Sequence, residues 1–153
     1  MTVLEEIGIS YKFQQVDFFN ELKTEEYKNK HHPFSRIPVL HDQDYHLYES
    51  RPIMRYIARS YDKTGILYPI DAKKIGKVEQ WISVEHSYFN AAENIAVELV
   101  LKKLRGAEAD LSIVAKEDVR LHEALVIIDK HLATSTYLAG EDFTIAGTIF
   151  HFD

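Results

Sequence analysis

Apolar and polar positions along the chain change their rhythm near its middle. Before residue 67 the pattern switches every few residues; after it, helical spacing runs almost unbroken. Met1–Glu6 reads as the end of a helix, with Gly8 as the stop just past it. Tyr11, Phe13 and Gln15 alternate with Lys12, Gln14 and Val16, which predicts a strand. Lys23–Lys30 is polar and predicts a short, irregular helix. Ile37–His41 and His46–Tyr48 predict two short strands, with a turn at Asp42-Gln43-Asp44 between them. Ser50 then opens a helix whose apolar positions Ile53, Ile57 and Tyr61 recur every four residues.

Leu67-Tyr68-Pro69 breaks the rhythm and reads as a linker. Beyond it, Ile75, Val78, Ile82, Phe89, Ile95 and Leu99 fall near one face of a single long helix that Gly106 ends. Val114, Leu121, Leu125, Ile128 and Leu132 predict a second amphipathic helix. Tyr137–Gly140 is a connection, and Thr144 starts a third helix. The layout is therefore α/β followed by all-α, with domains expected over residues 1–63 and 71–153.

Composition narrows the function. Apolar residues make up 46% of 153, enough for a packed core. The formal charge is −6, from 18 basic and 24 acidic residues, and the bases are scattered, which argues against nucleic acid as a partner. No apolar run approaches the roughly 20 residues a membrane span needs. There is no cysteine, so neither a disulfide nor thiolate chemistry is available, and a cytoplasmic home is permitted. The eight histidines show no metal-ligand spacing, so no metal is expected.

Two segments carry candidate chemistry. In His32-Pro33-Phe34-Ser35-Arg36-Ile37-Pro38, a proline at the mouth of a strand keeps Ile37 extended. Ile37 would then offer its backbone to an extended peptide, as an unpaired strand edge does; equally, Pro38 could simply shape a turn. In Tyr48-Glu49-Ser50-Arg51-Pro52-Ile53, Glu49 and Ser50 stand at a helix N-terminus. The unsatisfied N–H groups there attract an anion, Ser50 can cap or bind, and Glu49 can accept from an ammonium. Together they suit a zwitterionic amino-acid end; a plain N-cap beside a solvated glutamate is the competing reading.

The order of these segments, with Glu79–Glu85, Glu98–Val100 and Leu138-Ala139-Gly140 through Ala146, resembles the glutathione S-transferase family, most nearly its phi-like class. His32–Pro38 is similar to that family's Asn/Gln-Pro-Phe-Gly-Gln/Lys-Val/Ile-Pro, and Tyr48–Ile53 to its Phe/Tyr-Glu-Ser-Arg-Ala-Ile. The resemblance implies a thioredoxin-like glutathione-binding domain followed by a helical domain. It also implies conjugation of glutathione to a hydrophobic electrophile, and a homodimer. By the same resemblance Ile37 pairs through its backbone with the cysteinyl part, Glu49 and Ser50 hold the γ-glutamyl end, Arg36 contacts the peptide, and Pro38 belongs to the glutathione-binding set. Lys23 or Thr24 would approach the glycyl carboxylate. Phe34 would insert into a partner subunit or else pack locally, and Tyr88 and Phe89 would line the electrophile site or the core.

Three departures accompany it. The family's first strand, with the Ser, Tyr or Cys that activates the thiol, aligns upstream of Met1, and its last helices beyond Asp153, so the catalytic residue is unknown. The strand at Tyr11–Val16 would then lack its central partner. Ser35 stands where Gly is usual, and Gly147 where an Asp completes a capping box, a loss worth up to about 1 kcal/mol. A glutathione carrier without catalysis, or an interaction module of the same fold, are the alternative functions.

Overall fold

Gly8 terminates helix α1 (Thr2–Ile7) by turning left-handed at φ 74°, where its N–H reaches the Glu5 carbonyl and that of Ile9 the Leu4 carbonyl. A side chain at that φ would be strained, which is why glycine serves as the stop. A computed structural model describes residues 1–150 and divides the chain into two units, Met1–Pro69 and a second beginning at Ile70.

In the first unit, a 3₁₀ turn (Glu21–Lys23) leads into α2 (Glu25–Lys30), capped by the Thr24 hydroxyl, which accepts from the Tyr27 N–H at 3.1 Å. Strands β1 (Val39–Asp42) and β2 (Tyr45–Tyr48) pair antiparallel, from Val39 opposite Tyr48 to Asp42 opposite Tyr45. Helix α3 (Ser50–Tyr61) buries Ile53, Ile57 and Ala58 and packs against α1, whose Val3 is buried too. A carboxylate fixes the hairpin to this helix: Asp42 accepts from the Tyr56 hydroxyl at 2.8 Å and from the Tyr61 hydroxyl, while the Tyr45 ring lies 4.7 Å from that of Tyr56. The bond to Asp42 pushes the Tyr61 hydroxyl up to about 12, and the same two hydroxyls hold the Asp42 carboxyl below its ordinary range. These sequence-adjacent elements formed as their patterns predict.

Tyr11–Val16 did not. It is irregular and largely exposed, with Phe13 at 67%. An alternating pattern becomes a strand only when another strand takes up its N–H and C=O groups, and among the described residues the one sheet is the β1–β2 pair.

In the second unit, Asp71 caps α4 (Ala72–Tyr88) by accepting from the N–H groups of Lys73 and Lys74, both at 3.0 Å. The single long helix expected to run on to Gly106 is instead a series. After α4 comes a break at Phe89, then α5 (Asn90–Ala96), a π turn (Val97–Leu101) and α6 (Lys102–Leu104). A π turn carries an extra residue, so the face shifts across it. Leu99, expected inside, is 45% exposed, and Glu98 is buried in its place. Glu98 is satisfied by Lys102 Nζ and the Asp110 N–H, each at 2.7 Å, which ties the π turn to the start of α7 (Leu111–Leu132). On α7 the half-buried line runs through Val114, Leu121 and Ile128, while Leu125 and Leu132 are exposed, contrary to the predicted stripe. Buried Glu117 pairs with Arg120 at 2.5 Å, and Arg120 reaches Asn90 of α5 at 3.3 Å. His131 donates to the Leu138 carbonyl at 2.9 Å and so fastens the Tyr137–Gly140 connection.

The last helix, α8 (Ile145–Thr148), begins at Thr144, whose side chain makes no capping bond. Gly147 has a further reason here. A Cβ at that position would stand 2.8 Å from the Phe143 ring, so glycine makes room for the aromatic that precedes the helix.

Candidate functional site

The two segments singled out in the sequence meet at the open end of the hairpin. Its ladder ends at Val39 opposite Tyr48, so Ile37 and Pro38 lead into the hairpin, and Glu49 and Ser50 leave it, at the same end. Short antiparallel pairing thus brings together groups a dozen residues apart. Ile37 is 55% exposed, lies outside the paired strand, and is joined to Pro38 by a cis peptide bond. The loop before it is pinned from below, where the buried Tyr27 donates its hydroxyl to the Arg36 carbonyl at 2.9 Å. The Arg36 side chain itself is exposed.

Glu49, not Ser50, occupies the N-cap position of α3, and its side chain makes no capping bond; Ser50 is the first helical residue. Of the two roles read for Ser50, cap or anion binder, this position excludes the first. Glu49 sits at φ 74°, a conformation that strains any side-chain-bearing residue, and its side chain is about half exposed, at 53%. Pro52 falls in the first turn, where a missing N–H costs nothing. The helix start therefore presents N–H groups and the positive end of its dipole beside a carboxylate. Such a pairing can hold a carboxylate and an ammonium side by side.

Beneath this cluster lies His32, only 1% exposed. Its Nδ1 accepts from the Phe34 N–H at 3.2 Å, and its carbonyl accepts from the Ser35 N–H at 2.9 Å. Its ring stacks on Tyr48 with centroids 4.4 Å apart, and its Nε2 stands 3.5 Å from Glu49 Oε1. Sequence reasoning left His32 without a role. The signal available was the imidazole standing where the resembling motif has an amide. Ser35 takes φ 55°, the left-handed region that glycine occupies without cost.

The remaining candidates fall elsewhere. Phe34 is 71% exposed, its ring edge-on to His32 with centroids 6.1 Å apart. The Thr24 hydroxyl is used in capping α2 and in donating to the Glu21 carbonyl at 2.8 Å; Lys23 is exposed on the 3₁₀ turn. Phe89 is core, buried and edge-on to Phe150 at 4.8 Å, while Tyr88 beside it is 59% exposed. On the hairpin's outer part, His31 Nδ1 and His41 Nε2 are 3.0 Å apart and the His46 ring lies 4.7 Å from that of His41. Burial, then the neighbouring His46 and His31, push the His41 imidazole below its ordinary value.

Residues 1–59 match the family model described as the glutathione S-transferase N-terminal domain. Over 155 aligned residues the chain is 37% identical to glutathione S-transferase hmp2 of Hypomyces subiculosus, spanning 99% of this chain and 72% of that protein. The chain belongs to the glutathione S-transferase family. Among solved structures, glutathione transferase F7 of Populus trichocarpa superposes with a TM-score of 0.89 at 31% identity, covering 97% of this chain and 71% of that one. Glutathione S-transferase I of maize, solved with an atrazine glutathione conjugate, gives 0.86 at 29% identity, covering 97% and 70%. The transferase's first unit is thus thioredoxin-like in class and its second the helical unit of that fold. Among the described residues no helix is long and apolar enough to cross a membrane.

Proposed function

We propose that the end of the β1–β2 hairpin is a glutathione cradle, and that the protein acts as a glutathione transferase, conjugating the thiolate of glutathione to hydrophobic electrophiles. The observation that supports this reading is that Arg36, Ile37 and Pro38 lead into β1 while Glu49 and Ser50 leave β2 at the same end of the hairpin. Glutathione is an extended tripeptide with a zwitterionic γ-glutamyl end. Its cysteinyl segment would pair with the backbone of Ile37, as an added strand does. Its γ-glutamyl carboxylate would sit on the N–H groups and hydroxyl at Ser50, and its ammonium on the Glu49 carboxylate. Arg36 would reach the peptide from the exposed side of the loop. The group that stabilises the thiolate, which is the attacking species, is assigned to no residue of this sequence.

The reading extends to a cytoplasmic homodimer in which exposed Phe34 enters the partner subunit. The tests are calorimetric titration with glutathione and turnover of a chromogenic aryl halide. Submillimolar binding that weakens about tenfold or more in Glu49→Gln supports the cradle. Binding without turnover would favour glutathione carriage over catalysis. No binding at millimolar glutathione would end both.

A further inference from the structure

We propose that His32 is a positioning residue that aims the Glu49 carboxylate at the ammonium of its ligand. The inference rests on the reading of the hairpin end as a glutathione cradle. A neutral imidazole has one donor and one acceptor nitrogen. The Phe34 N–H can only donate, and it stands 3.2 Å from Nδ1; this makes Nδ1 the acceptor and leaves the proton on Nε2. That N–H faces Glu49 Oε1 across 3.5 Å. Burial, the Tyr48 stack and the turn closed by Ser35 allow the imidazole little room to reorient. Glu49, by contrast, is half exposed and sits on strained backbone with no capping bond to steady its side chain. Left to itself, an exposed carboxylate of this length samples several rotamers. An N–H fixed beneath one oxygen draws that oxygen inward and turns the other out to the ligand, so the ordering cost is met before binding.

The test compares glutathione with its des-amino analogue, glutaryl-cysteinyl-glycine, by calorimetry on the wild type, His32→Leu and His32→Gln. The wild type is expected to prefer glutathione about tenfold, the worth of one charge-assisted contact. In His32→Leu the preference falls to about twofold while affinity for the analogue holds; in His32→Gln, whose amide can still donate towards Glu49, most of it returns. Equal weakening of both ligands in His32→Leu, or a preference lost in both variants, would assign His32 to packing alone and overturn the proposal. Preference unchanged in His32→Leu overturns it as well, with the cradle intact. A wild type that binds neither ligand removes the cradle reading itself. If His32→Leu lacks a cooperative melt, His32→Gln decides: preference kept supports the proposal, preference lost overturns it.

Discussion

Residues 11–16 and residues 39–48 both read as strand from the sequence, yet they stand in opposite states. The second stretch is a paired hairpin, fixed to α3 through Asp42, Tyr56 and Tyr61. The first is irregular, with Tyr11 and Phe13 exposed. The difference lies in what each stretch finds. For 39–42 a partner arrives after a two-residue turn, and helix α3 follows directly to cover one face. For 11–16 no described strand comes alongside, and alternation without pairing leaves the backbone to water. A strand is a property of two segments, so the contrast predicts where substitutions will matter.

The largest effect should come from breaking the packed side. Ile57→Ala removes a side chain only 4% exposed and should lower unfolding free energy by about 3 kcal/mol in urea denaturation. A loss under about 1 kcal/mol would mean that α3 is not the core of its unit. Next comes the carboxylate that ties hairpin to helix. The two tyrosine hydroxyls lower the Asp42 carboxyl in the folded state, so its contribution is full above the ordinary aspartate value, near pH 4, and fades as pH falls through the lower folded one. Asp42→Asn should melt earlier than the wild type at pH 7, and the gap in melting temperature should close on acidification. A gap that stays constant down to pH 2.5 would show that the charge contributes nothing. Smaller still, Ser35→Gly should stabilise by about 0.5 kcal/mol. Relief of roughly 1–2 kcal/mol of left-handed strain slightly exceeds the unfolded-state entropy that glycine adds. Smallest of all, Phe13→Ser should stay within about 0.5 kcal/mol of wild type, because the ring is already in water. A marked loss there would place residues 11–16 in a structured contact and erase the contrast.

Features set by neighbours in sequence were legible. The Gly8 stop, the hairpin, the start and period of α3 and the Thr144 helix start each depend on a few adjacent residues. That Ile37-Pro38 and Glu49-Ser50 flank one hairpin was legible, since the turn expected at Asp42-Gln43-Asp44 joins the two strands between them. Three things were not. Periodicity assumes a constant number of residues per turn, so it passed over the π turn and put Leu99 inside rather than Glu98. Whether Glu49 or Ser50 holds the cap position depends on one φ angle that no residue pattern encodes. The burial of His32 beneath Glu49 depends on the stack with Tyr48, sixteen positions away, whose geometry is tertiary. Gly147 was read only in part, for a similar reason. The capping bond is absent as the pattern implied, and the ring of Phe143 also occupies the space that any larger residue would need.

The π turn at Val97–Leu101 also has the character of an insertion caught inside a helix. Removing one residue from it would restore ordinary i to i+4 bonding and rotate everything downstream by about 100°. Such a deletion would carry the start of α7 away from Glu98 and cut the carboxylate's hold on the Asp110 amide. Relatives that differ by one residue at this point would then need another device to start the following helix. A length change of one, ordinarily confined to loops, is here written into the middle of a helical run, and the buried acid is what makes it hard to undo.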